Sequence, residues 1–509
     1  MKSGSVKFLY SLATLAALTI PDQLTAQNSD PNTSKGHHYK LIEVGTFGGP
    51  NSYFTFVSKP LNRRGVATGS ADTALLLSPP FCLLSPDCFV AHAFVWKDGI
   101  LTDLSALPGI GASFPNDING KGVVAGLSLN GGSDPVIGVP FFDAVVFKGG
   151  QVIDLGTLGG PLSYAAAIND KNQVVGFALN DTPDSFDLGD WCENFPMPTQ
   201  MRAFIWQDGL KKNLGTLGGT DSCALFINDH SQVAGNSFTD SIVNPGSGFP
   251  TLHPFFWDGD ELKDVGALGV GNFATASAFN SHGQIAGASN LADDFTVFHV
   301  FLWEGGKLTD FGGLGGNSVE VIGLNEKGEI VGKADLAGSQ THHAFLGKNG
   351  TLVDLGSQDD DPCSVAMGIN SKEQIVGAST DCSNALHAFL WENGQMIDLD
   401  VFVPPSSTLT LTQATFINDR GEISAQGVLP NGNQRGVLLI PCDENHPNIE
   451  DCDYSLVEAS ATVNVATRMP GANMPATASS GVPPEAIRQL LQSVGSTPWR
   501  RRFGAQPQR

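Results

Sequence analysis

The chain has 509 residues, of which 41% are hydrophobic and only 16% charged, and its 60 glycines suit short strands joined by tight turns. Its net charge is −23, and residues 27–460 hold 20 basic and 49 acidic side chains. Such an acidic body repels phosphate backbones, which argues against nucleic acid as a partner. The same charge favours the solubility of a large exported protein.

The N-terminal segment has the pattern of a secretory signal. Two lysines precede an apolar stretch at residues 8–20, and small residues follow it up to Ala26. This stretch is shorter than the roughly 18 apolar residues that a membrane-spanning helix needs. We therefore predict a signal peptide at 1–26, a linker at 27–38 and no transmembrane anchor. The mature protein would be extracellular, at the cell surface or periplasmic.

From residue 39 to 440 one sequence unit recurs about every 50 residues. Each unit contains an asparagine that follows a bulky apolar residue, and successive asparagines are 45 to 59 positions apart. They are Asn62, Asn119, Asn169, Asn228, Asn280, Asn325, Asn370 and Asn418. A period of this length indicates a propeller or another repeat architecture.

Each unit reads as four short strands. In the seventh unit they are residues 364–369, the Gln-Ile-Val-Gly run 374–377, the His-Ala-Phe-Leu-Trp run 387–391 and the alternating run 395–399. Turns rich in Asn and Gly separate the first strand from the second and the third from the fourth. Four antiparallel strands per period are typical of a propeller blade, so we predict an all-β fold.

The two ends of the repeat region complement each other. Residues 39–44 read as an isolated fourth strand, and residues 435–440 as an isolated third strand. Paired together, they would complete one blade and remove an exposed sheet edge. This predicts a closed β-propeller of eight blades over residues 39–440, with seven blades or an open solenoid as alternatives.

Eight cysteines, an even number, predict disulfides in an exported chain, and no CxxC pair suggests zinc. Loops that open on one face would bring Cys363 to Cys382 within a blade and Cys192 to Cys223 across adjacent blades. The predicted bridges are Cys82–Cys88, Cys192–Cys223, Cys363–Cys382 and Cys442–Cys452. The last would staple an extension at 441–460, and the Ala-, Ser-, Thr- and Pro-rich residues 461–509 read as a disordered tail.

The repeat resembles a known family. The elements Asp-Leu-Gly-Thr-Leu-Gly-Gly (154–160), Ile-Asn, Gln-Val-Val-Gly and His-Ala-Phe-Leu-Trp recur in a fixed order. This combination resembles the bacterial extracellular HAF repeats and covers roughly residues 39–440. The resemblance implies export and a propeller-like fold, and it brings no substrate and no catalytic residues. Some units depart from it, since Arg202 and Arg435 replace the His, Asp143 stands at its equivalent and Gly347 takes a Trp position.

Three residue types recur once per unit and could suggest chemistry. A metal ion needs converging ligands, whereas equivalent residues are spread around a ring, so we expect the histidines to form structural hydrogen bonds. We expect the tryptophans to pack between blades, and the aspartates to face solvent, too far apart for a catalytic pair. The residues are His92, His253, His299, His343 and His387; Trp96, Trp206, Trp257, Trp303 and Trp391; and Asp103, Asp154, Asp264, Asp310, Asp354 and Asp398.

The innermost strands are rich in small and apolar residues, with Glu320 and Asp117 as isolated acids. No catalytic triad, phosphate-binding loop or metal-ligand cluster is visible. The acidic run 358–361 lacks the ligand spacing of a calcium loop and is expected to be a solvated turn. The sequence therefore predicts no enzymatic site, no cofactor and no metal.

The loops between the second and third strands suggest where function lies. They are long in the first four units, at 71–91, 129–142, 177–201 and 236–252, and short in the last four. Long loops without regular structure are usually functional or disordered. We predict that an unknown protein or glycan ligand binds there, with neutral drift of the insertions as the alternative. The candidate contacts are Phe81, Phe89, Trp191, Phe195 and Phe249.

These features predict an exported, non-enzymatic propeller that acts as a binding or surface-display module. The alternative is a secreted polysaccharide-acting hydrolase or lyase whose site is assembled from loops on one face. A pair of carboxylates in the long insertions would favour the hydrolase. The sequence leaves the ligand and the oligomeric state open.

Overall fold

Eight four-stranded antiparallel sheets make up the part of the chain that the computed structural model describes. The described residues are 39–54, 58–77, 87–133, 140–184, 192, 199–245, 248–292, 295–358, 361–443, 445–447, 449 and 452. The predicted signal peptide, linker and C-terminal tail lie outside them. Among them, no helix is long and apolar enough to cross a membrane.

Each sheet is one blade, and the first strands of adjacent blades contact one another. Blade 1 contains β2 (Gly48–Tyr53), β3 (Ala67–Leu76), β4 (Phe89–Lys97) and β5 (Ile100–Asp103). Blade 2 contains β6 (Ser113–Ile118), β7 (Val124–Ser133), β8 (Pro140–Lys148) and β9 (Gln151–Asp154). Blade 3 contains β10 (Gly159–Ile168), β11 (Val174–Pro183), β12 (Thr199–Gln207) and β13 (Leu210–Gly215). Blade 4 contains β14 (Ser222–Ile227), β15 (Val233–Phe238), β16 (Leu252–Trp257) and β17 (Leu262–Asp264).

The second half of the ring repeats this plan. Blade 5 contains β18 (Ala274–Phe279), β19 (Ile285–Asn290), β20 (Phe298–Glu304) and β21 (Lys307–Gly312). Blade 6 contains β22 (Gly315–Leu324), β23 (Ile330–Leu336), β24 (His342–Lys348) and β25 (Thr351–Asp354). Blade 7 contains β26 (Cys363–Ile369), β27 (Ile375–Thr380), β28 (Ala385–Glu392) and β29 (Gln395–Asp398), followed by a 3₁₀ helix (Leu399–Phe402). Blade 8 contains β30 (Thr410–Ile417), β31 (Ile423–Val428), β32 (Gln434–Pro441) and the N-terminal β1 (Tyr39–Glu43).

The two ends of the propeller close the ring, as the sequence predicts. Strand β1 pairs with β32 in antiparallel register, from Tyr39 opposite Pro441 to Glu43 opposite Val437. This pairing completes blade 8 as its fourth strand and covers an edge that would otherwise be open. The predictions of a closed ring and of eight blades are confirmed.

The glycine at the third position of the second strand in blades 1 to 7 allows a close approach between the first two strands of a blade. A bulge between Ala165 and Ala167 bends the first strand of blade 3 towards its neighbour. A Cβ atom on Gly176 would lie only 1.8 Å from the carbonyl oxygen of Tyr164. In blade 7 a Cβ on Gly377 would meet the ring of Phe389 at 2.8 Å. Only glycine fits beneath the buried phenylalanine of the His-Ala-Phe run.

Two faces follow from the antiparallel order of the strands. The loops between second and third strands and the connections between blades open on one side, which we call the loop face. The turns between first and second strands and between third and fourth strands open on the other, the turn face. The polar groups of each face therefore come from different parts of the repeat.

The strands on the loop face are longer than the sequence suggests. Strands β3, β7 and β11 extend into three predicted loops because each resumes its pairing with the next strand after a register shift. The predicted loop 129–142 is consequently mostly hairpin, and only residues 134–139 separate its two strands. The other three segments remain long, at 77–88, 184–198 and 239–251.

Three of the four predicted disulfides are present. Cys192–Cys223, Cys363–Cys382 and Cys442–Cys452 have Cα–Cα distances of 6.3, 5.0 and 5.6 Å, within the usual range for a bridge. Cys88 is also disulfide-bonded, and its predicted partner Cys82 lies outside the described residues. Such bridges are typical of proteins from oxidising compartments.

Candidate functional site

The recurring asparagines form a closed ring of hydrogen bonds, which we call the asparagine belt. Each side-chain Nδ2 donates to the backbone oxygen of the asparagine in the next blade, over 2.8 to 3.3 Å, and Asn418 returns to Asn62. Each Oδ1 also accepts from two backbone N–H groups of its own turn, as Asn325 does from Lys327 and Glu329 at 3.0 Å. The belt is structural, because it fixes eight turns and joins every blade to the next.

The recurring histidines and aspartates bind one another within a blade. His92, His253, His299 and His343 accept or donate through Nδ1 to Asp103, Asp264, Asp310 and Asp354, each at 2.9 Å. His387 instead contacts Asp361 at 2.9 Å. The expectation of structural hydrogen bonds for the histidines agrees with these contacts. The expectation that the aspartates face solvent on separate blades is confirmed for these four, whose side chains are 41–47% exposed, and each also ties the fourth strand to the third.

The two described ends of the acidic run 358–361 are less solvated than its sequence suggests, and residues 359–360 lie outside the described residues. Gln358 is buried and its backbone N–H donates to Ser379 Oγ at 2.7 Å. Asp361 is drawn inwards by His387, and its side chain is only 12% exposed. His387 is the partner of Asp361, and because it lies 26 positions further along the chain, the sequence of the run gives no sign of it.

The tryptophans pack between blades. Trp96, Trp206, Trp257 and Trp303 are 6–8% exposed, and Trp391 is half-buried. Trp96 of blade 1, for example, shares a hydrophobic cluster with Leu438 and Ile440 of blade 8. Stacking platforms for sugars would need exposed ring faces, which the four buried rings do not offer.

Structural contacts thus account for most of the residues that recur from unit to unit. Side chains that depart from this recurring pattern are the candidates for function. Asp72 on β3 is fully buried, three residues after the strand's glycine. The equivalent residues of the next three blades are Leu129, Leu179 and Phe238, all buried. A carboxyl group therefore replaces a core side chain at this one place among the first four blades.

Asp72 belongs to a buried polar cluster. Its Oδ2 accepts the backbone N–H of Asn51 at 2.9 Å, and the side chain of Asn51 donates to Asp87. The negative charge of Asp87 acts on the Asp72 carboxyl group, whose Oδ1 has no hydrogen-bond partner within the described residues. Burial, and then the negative charge of Asp87, raise the pKa of Asp72 to about 8. The pair therefore holds a proton at neutral pH. Burial and both carboxylates also raise the pKa of the neighbouring Tyr53 phenol.

Two junctions between blades share a second departure from the pattern, an arginine in place of the histidine. Arg202 donates to the backbone oxygen of Thr220, and Asp221 Oδ1 accepts the N–H of Met201 at 2.6 Å. Burial raises the pKa of Asp221 to about 6.

The second junction, where the ring closes, has the same arrangement. Arg435 donates to the backbone oxygen of Pro50, and Asn51 Oδ1 accepts the N–H of Gln434 at 2.8 Å. Both junctions lie on the loop face beside long loops. We call Asn51, Asp72 and Asp87 at the junction of blades 8 and 1, together with Arg202 and Asp221 at the separate junction of blades 3 and 4, the loop-face residues.

The third replaced histidine, Asp143, faces Asp154 on the neighbouring strand. Burial, with the charge of Asp154, raises the pKa of Asp143. Lys211 of blade 3 donates to the Gly156 carbonyl, and burial lowers its pKa to about 8. This group lies on the outer strands, away from the long loops.

The two acids of the innermost strands have separate partners. Asp117 is 6% exposed and its Oδ2 accepts the N–H of Ile168 at 2.9 Å, which links blade 2 to blade 3. Glu320 is 5% exposed and forms an ion pair with Lys333 at 3.3 Å. They lie on different blades, so the structure does not bring them together.

The aromatic candidates of the loops differ in their placement. Phe89 begins β4 and is half-buried. Phe249 packs against a hydrophobic cluster that includes Phe238 and Leu252, so it stabilises its loop. Phe81, Trp191 and Phe195 lie outside the described residues. Within the described ranges, no three His, Cys, Asp or Glu side chains converge as metal ligands.

The loop-face residues were not predicted from the sequence, because no single one of them stands out from its neighbours in the chain. Asp72 could have been found by aligning the units on the glycine of the second strand, since the neighbouring units hold large apolar residues there. Asp87 carries no such signal, because it lies in a loop with no counterpart in the other units.

The fold and this geometry define the class: an eight-bladed β-propeller closed by its own two ends. No protein-family model matches the chain, and no curated protein matches it. The HAF resemblance therefore stays a prediction.

Solved structures resemble the chain in fold alone. The β-propeller domain of the Trilobed protease from Pyrococcus furiosus is 9% identical, with a TM-score of 0.38 over 72% of this chain and 96% of that one. Porphyromonas gingivalis dipeptidyl peptidase 4 is 9% identical, with a TM-score of 0.41 over 78% and 65%. Trypanosoma rangeli sialidase is 10% identical, with a TM-score of 0.29 over 68% and 56%.

Proposed function

We propose that this propeller is an exported glycan-binding module whose ligand lies on the loop face above blades 1–4. One observation carries the proposal: the longest loops and the charged side chains that break the repeat occur on the same face. Blades 6 to 8 have the same fold with short loops, at 337–341, 381–384 and 429–433. The long loops are therefore not needed to build a blade.

The chemistry of this face favours a ligand rich in hydroxyl groups and without negative charge. On this face the partly exposed Asp87 and Arg202 offer carboxyl and guanidinium groups, which bind sugar hydroxyls through directed hydrogen bonds. The segment 177–201 contains five acidic residues and no lysine or arginine. An anionic ligand would be repelled there, whereas a neutral or amino-bearing glycan would not.

The alternative is a polysaccharide hydrolase, for which the described part of the loop face offers the pair Asp72 and Asp87. Glycoside hydrolysis needs two carboxyl groups roughly 5 Å or more apart, one on each side of the scissile bond. Here Asp72 has no exposed surface, and its Oδ2 accepts the backbone N–H of Asn51. This geometry supports a structural or binding role for the pair rather than acid–base catalysis.

Replacing loops tests the proposal. In the variant, residues 184–198 and 239–251 are replaced by the five-residue turn 337–341 of blade 6, which contains no cysteine, and Cys223 is changed to Ala because its partner is removed. We expect the wild type to bind glycans on an array without releasing reducing ends. The variant should keep its melting temperature within a few degrees and lose at least about tenfold in affinity, the loss that corresponds to about 1.4 kcal/mol.

A matched control separates the loops from the disulfide. The double variant Cys192→Ala/Cys223→Ala keeps both loops and should retain binding. A folded loop variant that binds as the wild type does would show that the site lies elsewhere. Release of reducing sugar ends by the wild type would favour the hydrolase.

A further inference from the structure

The turn face carries a basic side chain in every blade, at the second position after each belt asparagine. We call these eight residues the cation ring. They are Arg64, Lys121, Lys171, His230, His282, Lys327, Lys372 and Arg420. The whole chain contains only 28 Lys and Arg and 11 His among 509 residues. A basic residue in all eight turns is therefore far from what composition alone would give.

The fold does not require a basic side chain at this position. The backbone N–H of each ring residue donates to Oδ1 of the belt asparagine, at 2.9 to 3.1 Å. Any residue except proline supplies that N–H. Seven of the eight side chains are exposed, and Arg420 is half-buried. The backbone hydrogen bond thus explains why the turn forms, but it does not explain why the side chain at this position is basic.

Repetition of an ancestral turn does not explain the pattern either. The residues that precede the ring positions have diverged, from Arg63 in blade 1 to Glu326 in blade 6 and Ser371 in blade 7, whereas the following position keeps glycine in five of the eight turns. At the ring position itself the side chain changes among Arg, Lys and His, and only its basic character stays. Basic character, supplied by Lys or Arg in six blades and by His in two, is therefore the property that is retained.

The acidic side chains near the cation ring already have hydrogen-bond partners. Asp170, Asp229 and Asp419 each accept the backbone N–H of the preceding blade's turn, at 2.6 to 2.8 Å, and Glu326 binds Ser281. In contrast, the side chains of four ring residues form no hydrogen bond or ion pair within the described part of the chain. These are Arg64, Lys121, Lys327 and Lys372.

We propose that the cation ring binds an acidic polysaccharide that carries one carboxylate per sugar. The ring places single cations one blade apart, with carboxylates, hydroxyls and amides between them. Such spacing suits a chain of isolated charges separated by hydroxyl groups, whereas the interleaved acids repel dense polyanions. At physiological salt the Debye length is about 8 Å, so the negative charge on distant parts of the body is screened. This site is independent of the one on the loop face.

The test compares two triple variants of the full chain that change net charge equally. The ring variant is Lys121→Gln/Lys327→Gln/Lys372→Gln. The control is Lys97→Gln/Lys148→Gln/Lys307→Gln, which alters exposed lysines of the turns between third and fourth strands. The probe is fluorescent polygalacturonate at low salt, with neutral dextran as blank. Melting temperatures verify that both variants fold.

We expect the wild type and the control variant to bind polygalacturonate within about twofold of each other. The ring variant should bind at least about tenfold more weakly and with a shallower dependence on salt, since fewer counterions are released. Equal losses in the two variants, or no binding by the wild type, would overturn the proposal. Binding to dextran sulfate or to anionic phosphatidylglycerol vesicles without binding to polygalacturonate would also overturn it.

Discussion

At the scale of single residues, Asp72 shows how this repeat protein departs from its own pattern. The side chain fills a position that is apolar in the next three blades; its Oδ2 accepts the N–H of Asn51, and the charge of Asp87 acts on the same carboxyl group. A buried carboxylate without a cation is costly, so the pair retains a proton instead. The junction between blades 8 and 1 thereby depends on pH, because Asn51 also binds Gln434 of blade 8.

The substitution Asp72→Asn tests this protonation. In the unfolded chain the carboxyl ionises near its ordinary value of 3.8, and in the folded protein near 8. Between these values the folded state binds the additional proton, so wild-type stability should fall as the pH rises. The amide of the variant cannot ionise and can still donate to Asp87. Urea unfolding at pH 5, 6.5 and 8 should show a smaller loss for the variant. Parallel pH profiles would mean that the pair is not protonated.

At the scale of elements, the asparagine belt joins each turn to the next blade. Asn280 is 4% exposed, accepts the N–H groups of His282 and Gln284, and donates to Gln284 and to Asn325 of blade 6. One side chain thus satisfies two backbone donors and one backbone acceptor. Unsatisfied buried groups of this kind are costly, which gives the recurring asparagine its physical reason.

Removal of a belt side chain should therefore cost much more than removal of an exposed asparagine. We expect Asn280→Ala to lower the free energy of unfolding by about 3 kcal/mol. Asn213→Ala is the control, because Asn213 is exposed and accepts only the N–H of Gly215; its cost should stay below about 1 kcal/mol. Chemical denaturation measures both. Similar costs for the two variants would contradict a structural role for the belt.

At the scale of the whole molecule, closure depends on a five-residue strand. Strand β1 is the fourth strand of blade 8 and covers β32, while β32 contacts β2 of blade 1. A belt bond from Asn418 to Asn62 closes the same junction on the turn face. The ring is thus held where its two ends meet by strand pairing and by side chains from both faces.

Deleting residues 39–43 should expose the outer edge of β32. We expect the truncated protein to aggregate and to melt at a lower temperature than a control chain that begins at residue 37, because an unpaired edge strand promotes association. Size-exclusion chromatography and thermal unfolding would show this. A truncated chain that stays monomeric with an unchanged melting temperature would mean that β1 does not maintain closure.

The sequence by itself determined the architecture, because the pattern that specifies one blade recurs eight times along the chain. The period, the turn residues and the strand-like runs predicted four-stranded blades, and the unpaired pieces at 39–44 and 435–440 predicted closure. The disulfides Cys192–Cys223 and Cys363–Cys382 followed from the faces on which loops open. The cation ring can also be found in the sequence, at a fixed offset from each asparagine. Only the tertiary structure shows that most of its side chains are exposed and can contact a ligand.

The tertiary structure alone decided how the recurring polar residues are used. Residues 11 positions apart, such as His92 and Asp103, face each other only once the third and fourth strands pair. Asp361 meets His387 across 26 positions, and Asp72 meets Asp87 through an insertion of irregular length. Periodicity specifies local strands and their order. The proximity of groups in loops and between blades depends on packing, which no local pattern encodes.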